Sequence, residues 1–383
     1  MAIGINKTVK INFIFTERCS DREEIMGNWR IVLFGFYMLG QCTMGQALEG
    51  IRFQHKDWEL ACDNIGTCRM AGYGSSEGEE SFPVSLYIER KAGNEALIGL
   101  ARIEEYAYDE REKERTLQAE LWVDQKNLGI IKFDQKDEWN LEYFARLNPE
   151  QTHSVIYSLV KKSSQIELKT PKQVWRISDQ GVTAVMLKAD EFQKRRDTPS
   201  AFLKKRNSHS PVLEQIDKPI VNIPKFHTDR EQIFKFDSPT GQRLLKLLKS
   251  IGGIDGGCSR LSEDDEYNCF SVYELSEGKK LVEAACELFA YNDWILSVVM
   301  NHDLTKIEQE VSTVGEYNGY EGKGIISSKM KWRGLGDCWS IRKAAWNGKV
   351  FEPILNTDTG MCRGFVGGAW NMPTYVADIN YLP

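Results

Sequence analysis

The sequence predicts an α+β fold that is mainly antiparallel β, built as two β-rich domains with a few helices and stabilised by disulfides. Three observations predict it. Apolar residues recur with period two in several stretches, helical stripes are few and short, and seven cysteines are spread over residues 62–362. With 383 residues, 42% hydrophobic and 27% charged, the chain has the size of two domains and the composition of an ordinary globular protein.

The first element is a leader. Residues 26–47 begin at Met26 with Arg30, continue through the uncharged apolar run Ile31–Leu39, and end on the small-x-small triplet Gly45-Gln46-Ala47. These are the parts of a signal peptide with its cleavage site. The run is shorter than the roughly 20 apolar residues that span a bilayer, so a retained anchor and a core helix are the weaker readings. Residues 1–25 mix Lys7, Lys10, Arg18 and Arg22 with Glu17, Asp21, Glu23 and Glu24, and read as an extension from a mis-assigned start. The expected compartment is the periplasm or the exterior of a bacterial envelope. No later segment is apolar and long enough to form a stable membrane span. The formal net charge of −6 argues against nucleic acid as a partner, because phosphate binding requires a basic footprint.

An N-terminal domain over 48–207 opens with Cys62 and Cys68 across the turn Asp63-Asn64-Ile65-Gly66-Thr67, a spacing that suits a short disulfide. Phe82, Val84, Leu86 and Ile88 then alternate with polar neighbours, as do Leu117, Ala119, Leu121 and Val123, and the pattern resumes at Gly129–Phe133. Each reads as a strand with one buried face. The mixed-sign run 104–115 between them reads as a solvated loop. Asn148-Pro149-Glu150 starts a helix reaching about Ser163, with Asn148 as N-cap and proline in the first turn. A short strand over 173–177 leads to a second helix over 182–195. Ser178 is its expected cap, and Val182, Val185, Met186, Ala189 and Phe192 form its core stripe.

Pro211, Pro219 and Pro224, following the polar segment 204–210, mark a connector over 208–225. The C-terminal domain over 226–383 holds an amphipathic helix at 242–251, then short strands and glycine-rich turns. Its tryptophans, Trp294, Trp332, Trp339, Trp346 and Trp370, read as β-core residues, with a sugar-stacking platform as the alternative.

Nine cysteines are present, at 19, 42, 62, 68, 258, 269, 286, 338 and 362, and the first two leave with the leader. An odd number then remains, so one thiol is left over. An oxidising compartment favours bridging the others. Neither the 62/68 pair nor the 338/362 pair has zinc-knuckle spacing or a nearby histidine, so no metal is expected.

Catalytic signatures are sparse. Gly74-Ser75-Ser76-Glu77-Gly78 matches the G-x-S-x-G nucleophile elbow, but strand-like sequence rather than a helix follows it. His55, His153, His209, His227 and His302 are scattered, with no i,i+4 pair. The Gly-Lys pairs at 278, 322 and 348 lack the rest of a phosphate loop. No cofactor, metal or catalytic residue is assigned.

Several blocks together resemble a known family. Asp57–Asn64 with Cys68, Ala71 and Tyr73 open the likeness. It resumes at Trp175–Ser178 through Ala184, at Asp190-Glu191-Phe192-Gln193, Arg196 and Ala201, and at Cys258. It continues at Cys286 with Ala290-Tyr291-Asn292, at Arg333-Gly334-Leu335-Gly336-Asp337-Cys338, at Trp346-Asn347-Gly348 and Phe351, and at Cys362-Arg363-Gly364. In order and spacing these resemble the exported bacterial family catalogued as domain of unknown function 1176. Trp339 departs from its pattern, where a small residue is usual. The resemblance implies an envelope or secreted protein of unknown activity and carries over no catalytic residue. It also implies a Cys258–Cys286 pair with Cys269 as the free thiol. Proximity in sequence favours Cys258–Cys269 instead, and both pairings stay open at this stage. The expected function is non-enzymatic binding of an envelope or secreted partner, with inhibition as one form. The alternative is an envelope hydrolase acting on cell-wall or carbohydrate material through carboxylates.

Overall fold

The computed structural model describes residues 48–75, 83–93, 96–104, 116–135, 142–225, 230–251, 258–261, 268–276, 278–311 and 319–383. The expected signal peptide over 26–47, Ser76 of the G-x-S-x-G match, His227 and most of the charged run 104–115 lie outside these residues. Glu104, the described member of that run, is buried beside Arg102 rather than solvated.

Strands dominate, and nearly all pair antiparallel, as the alternation predicts. A ten-stranded sheet runs in the order Ile51–His55, Trp58–Cys62, Cys68–Tyr73, Val84–Arg90, Leu97–Glu104, Glu142–Arg146, Lys126–Gln135, Thr116–Val123, Ile166–Lys169 and Val174–Ile177. A second sheet joins Glu231–Lys235, Cys269–Glu274, Lys279–Leu288, Asp293–Asn301 and Ile307–Glu310. A third joins Gly319–Gly322, Ile325–Lys331, Trp339–Trp346, Phe351–Asp358 and Met372–Val376. Within the proposed connector, Ile220–Ile223 pairs in parallel with Asp378–Tyr381, the last strand of the chain.

Local chemistry fixes the turns. Asp63 accepts from the amides of Ile65 (3.1 Å) and Thr67 (2.9 Å) and from Arg69 (2.7 Å), closing the loop that Cys62–Cys68 staples. Gly66 adopts φ +90°, and a Cβ there would stand 2.6 Å from the Cβ of Ala92. Helix α1 (Pro149–Leu159) carries the expected cap, with Asn148 and Gln151 exchanging side-chain-to-backbone bonds. It stops earlier than its apolar pattern suggests, because the Lys161 amide turns back to the Ser158 carbonyl at 3.0 Å.

Helix α2 (Val182–Phe192) buries Val182, Val185, Met186 and Ala189, but Ser178 is not its cap. That position belongs to Gly181 at φ +101°, where a Cβ would strike the His55 carbonyl 1.9 Å away, while Ser178 Oγ accepts from Gln180 in the preceding turn. Helix α3 (Pro239–Lys249), capped by Ser238, buries Leu244 and Leu248 against the second sheet.

The cores follow from sidedness. Helices α1 and α2 cover the large sheet over Trp58, Leu60, Leu86, Phe133 and Trp175. Phe270, Val272, Val298 and Met300 face α3, whereas Leu281 and Val299 pack on Ile326, Ala344 and Trp346 of the third sheet. A sheet covered on both faces explains the nearly unbroken apolar run 294–300. A buried ion pair ties the large sheet and helix α2 to the segment 200–203. Arg90 donates to Asp190 (2.7 Å) and Gln193 (2.6 Å), and the second Asp190 oxygen accepts from the amides of Phe202 and Leu203.

Candidate functional site

The six bridging cysteines form three disulfides, Cys62–Cys68, Cys258–Cys286 and Cys338–Cys362. The first crosses neighbouring strands. The second ties the segment 258–261 to the strand Lys279–Leu288. Cys269, half-buried at the start of its own strand, keeps a free thiol. The third lies within the most elaborate surface feature of the described residues, where three loops meet.

The turn Phe289-Ala290-Tyr291-Asn292 closes through a 2.8 Å bond from the Phe289 amide to the Asn292 carbonyl. The Asn292 side chain then acts as a short strand partner: it accepts from the Lys331 amide at 2.8 Å and donates to the Lys331 carbonyl at 2.9 Å. This binds the turn to the loop that follows Lys331. In that loop Gly336 takes φ +71° and donates to the Arg333 carbonyl at 3.0 Å, while Trp339 Nε1 donates to the Gly336 carbonyl at 2.8 Å.

Asp337 sits at the centre with no solvent exposure. Arg333 forks onto both its oxygens, with Nε at 2.7 Å, and the Gly364 amide adds a third donor at 2.6 Å. Burial works to raise the Asp337 pKa, but the bonds from Arg333 and Gly364 outweigh it and hold the carboxyl below its ordinary range. Arg333 is raised in turn, chiefly by its bond to Asp337.

The third loop, residues 359–370, is anchored on the large sheet. Arg363 pairs with Asp57 at 2.7 Å, the Met361 amide donates to Glu59 at 2.8 Å, and the Val366 amide donates to Glu104 at 2.9 Å. Arg102 donates to the Ala369 carbonyl at 2.7 Å, and Trp370 Nε1 donates to Ser85 at 2.7 Å. Burial pushes the Glu59 carboxyl up, although the Tyr73 hydroxyl and the Met361 amide donate to it. On its other side this loop bonds to Gly336 through the Gly367 amide at 2.9 Å, beside the Cys338–Cys362 bridge.

These loops are tied to one another by those bonds yet display apolar side chains to solvent. Phe289 is 50% exposed, Tyr291 46%, Trp332 57%, Leu335 61% and Val366 41%. Lys331 lies over the rings of Tyr291 (5.9 Å) and Trp339 (4.9 Å). Trp332 therefore differs from its expected place in a β core, whereas Trp346 and Trp370 are buried. Apolar groups held in place without burial suit a contact with another molecule.

Among the described residues, the one grouping of three metal-ligating side chains is Asp337, Cys338 and Cys362, and the disulfide takes up both sulfurs. Of the other carboxyls, Glu283 is buried, and burial raises its pKa, with the charge of Glu231 adding to the effect. It accepts from Ser297 (2.9 Å) and the Tyr320 amide (3.1 Å). Sequence reasoning assigned no role to Asn292, Asp337 or Arg102. The available signal was the run Arg333–Cys338, whose polar and glycine residues make sense only as a folded loop.

The family model described as "Protein of unknown function (DUF1176)" matches residues 52–377. No curated protein matches the chain. No solved structure matches it either.

Proposed function

From the premise that this chain belongs to the DUF1176 family of proteins of unknown function, we propose that it is an exported, non-enzymatic binding protein of the bacterial envelope. Its partner is an envelope or secreted protein that docks on the three-loop surface. The observation that carries this reading is the exposure of Phe289, Tyr291, Trp332 and Leu335 on loops tied by a disulfide and by the ion pair of half-exposed Arg333 with buried Asp337. Fixed loops lose little conformational entropy on docking, and aromatic anchors dominate protein interfaces. Three disulfides favour an oxidising compartment, in keeping with a leader over 26–47. The connector at 208–225 is kept as the proposed domain boundary.

The test is partner capture from envelope extract, with the captured protein then titrated against wild type and the double variant W332A/L335A. Loss of a hot-spot pair of this kind weakens binding by about 30-fold or more. Unchanged capture by the double variant would refute the docking surface. A cytosolic protein that retains Met1 on N-terminal sequencing would refute export. The hydrolase alternative has Glu283 as its best candidate, but both its oxygens accept bonds from Ser297 and Tyr320. Turnover of cell-wall fragments that disappears in E283Q, with folding retained, would reverse the order of the two readings.

A further inference from the structure

A cleft of about 590 Å³ opens where the second and third sheets meet, lined by Glu231, Tyr273, Tyr320, Glu321, Lys323 and Tyr381. A hollow of about 310 Å³ continues it past Tyr320 and Glu321 to Asp293 and Lys329. The rings of Tyr273 and Tyr320 lie 4.6 Å apart at 40° and give the cleft an aromatic wall. Tyr320 is held on several sides. Its amide donates to buried Glu283 at 3.1 Å, and its hydroxyl accepts from the Gly324 amide at 2.9 Å. The aromatic surface is thus set before any ligand arrives, which lowers the entropy cost of binding.

The rim is dense in polar groups but balanced in charge. Glu231, Glu321 and Asp293 stand with Lys323, Lys329 and Lys343. Glu321 pairs with Lys343 at 2.6 Å, and Glu231 accepts from the Tyr273 hydroxyl at 3.0 Å. A balanced rim gives little preference to an ion of either sign. An apolar ligand would strip water from carboxylates and ammonium groups without replacing their bonds. A ring with apolar faces and hydroxyls around its edge satisfies both the tyrosines and the rim.

We propose that this cleft is a binding site for a neutral saccharide. The sugar's C–H face lies on the tyrosine rings, and its hydroxyls bond to the rim carboxylates and ammonium groups. Glu283 holds the wall from behind Tyr320.

The test is calorimetric titration of the full chain with cellotetraose, maltotetraose and an N-acetylglucosamine tetramer, with spermidine as an ionic comparison. At least one neutral probe binds, and Tyr381→Ala and Glu321→Gln each weaken it about tenfold, the loss of one stacking or charged hydrogen-bonding group. Tyr381 is half exposed and the Glu321–Lys343 pair lies at the surface, so both variants should stay folded and unfold within a few degrees of the wild type. The proposal is overturned if no neutral probe binds at about 10 mM, a level that detects even weak sites. It is also overturned if spermidine alone binds, or if both variants keep wild-type affinity. Partner capture by the three-loop surface should survive Tyr381→Ala, so failure here is distinguishable from failure of the docking surface.

Discussion

Replacing Asp337 by Asn tests what holds the three-loop surface together. The carboxylate is fully buried and receives three donors, two from Arg333 and one from the Gly364 amide. Hydrogen bonds to a charged group contribute about 1.5–3 kcal/mol each. Asn keeps one carbonyl oxygen, which at the Oδ2 position still accepts from the Gly364 amide and from one terminal nitrogen of Arg333, but its amide group then faces Arg333 Nε. One charge-assisted bond is therefore lost outright, and the other two fall to about half their strength once the carboxylate charge is gone. The Arg333 side chain is 48% exposed, so water recovers part of its solvation and the cost falls toward the low end of the range. The expected loss is about 3 kcal/mol, below the upper range for breaking a fully buried pair.

Urea unfolding with the disulfides intact measures it, and pH separates the ionic part from simple misfit. The Asp337 pKa is depressed in the folded protein relative to an unfolded value of about 3.9. Its stabilisation is therefore fully present above that unfolded value and is lost as pH falls through the lower folded value. The gap between wild type and D337N should hold between pH 5 and pH 8 and narrow below about pH 4. A gap that stays constant down to about pH 2.5, or one under about 0.5 kcal/mol at neutral pH, would refute this account of Asp337.

Three further outcomes are expected. Paired Cys→Ser replacement should cost about 2.4 kcal/mol for Cys62–Cys68 and about 3.5 kcal/mol for each of the other two bridges, since their separations are 6, 24 and 28 residues and loop-closure entropy grows with length. Denaturant curves that place the 62–68 bridge first would contradict this order. Alkylation of residues 48–383 under denaturing, non-reducing conditions should label Cys269 alone among their cysteines, as read by peptide mass spectrometry. For Glu59, burial raises the folded-state pKa, so ionisation costs stability as pH rises from the unfolded value through the folded one. Because Tyr73 and the Met361 amide both donate to the same oxygen, Oε1, Gln can replace it there. E59Q should therefore gain on wild type in urea midpoint between pH 4.5 and pH 8, and a gap that moves the other way would count against the burial argument.

What could be read along the chain was the chemistry of near neighbours. The alternation at Leu117–Val123 marks a half-buried strand, because side-chain direction in a strand depends only on residue parity. At Val84–Ile88 the same alternation locates the strand but not its burial: Ser85 and Tyr87, on the face expected in solvent, are covered by Trp370. The Asn148-Pro149 cap acts within a single turn, so it was legible too. Ser178 misled for a related reason. A capping residue type is common in turns, and only the approach of the His55 carbonyl shows why a glycine must occupy the position before Val182.

The sequence by itself determined a β-rich, disulfide-bearing member of its family, since period, cysteine content and block order are properties of one dimension. The tertiary structure decided where those blocks meet. Asn292 reaches a backbone 39 residues away, Arg363 an acid 306 residues away, and Arg102 a carbonyl 267 residues away. No local pattern encodes such pairings, because they follow from how sheets stack after every strand has formed. The same stacking left Trp332 in solvent while burying Trp346, two tryptophans that look alike in sequence: one stands in the loop just past a strand end, the other between two packed sheets.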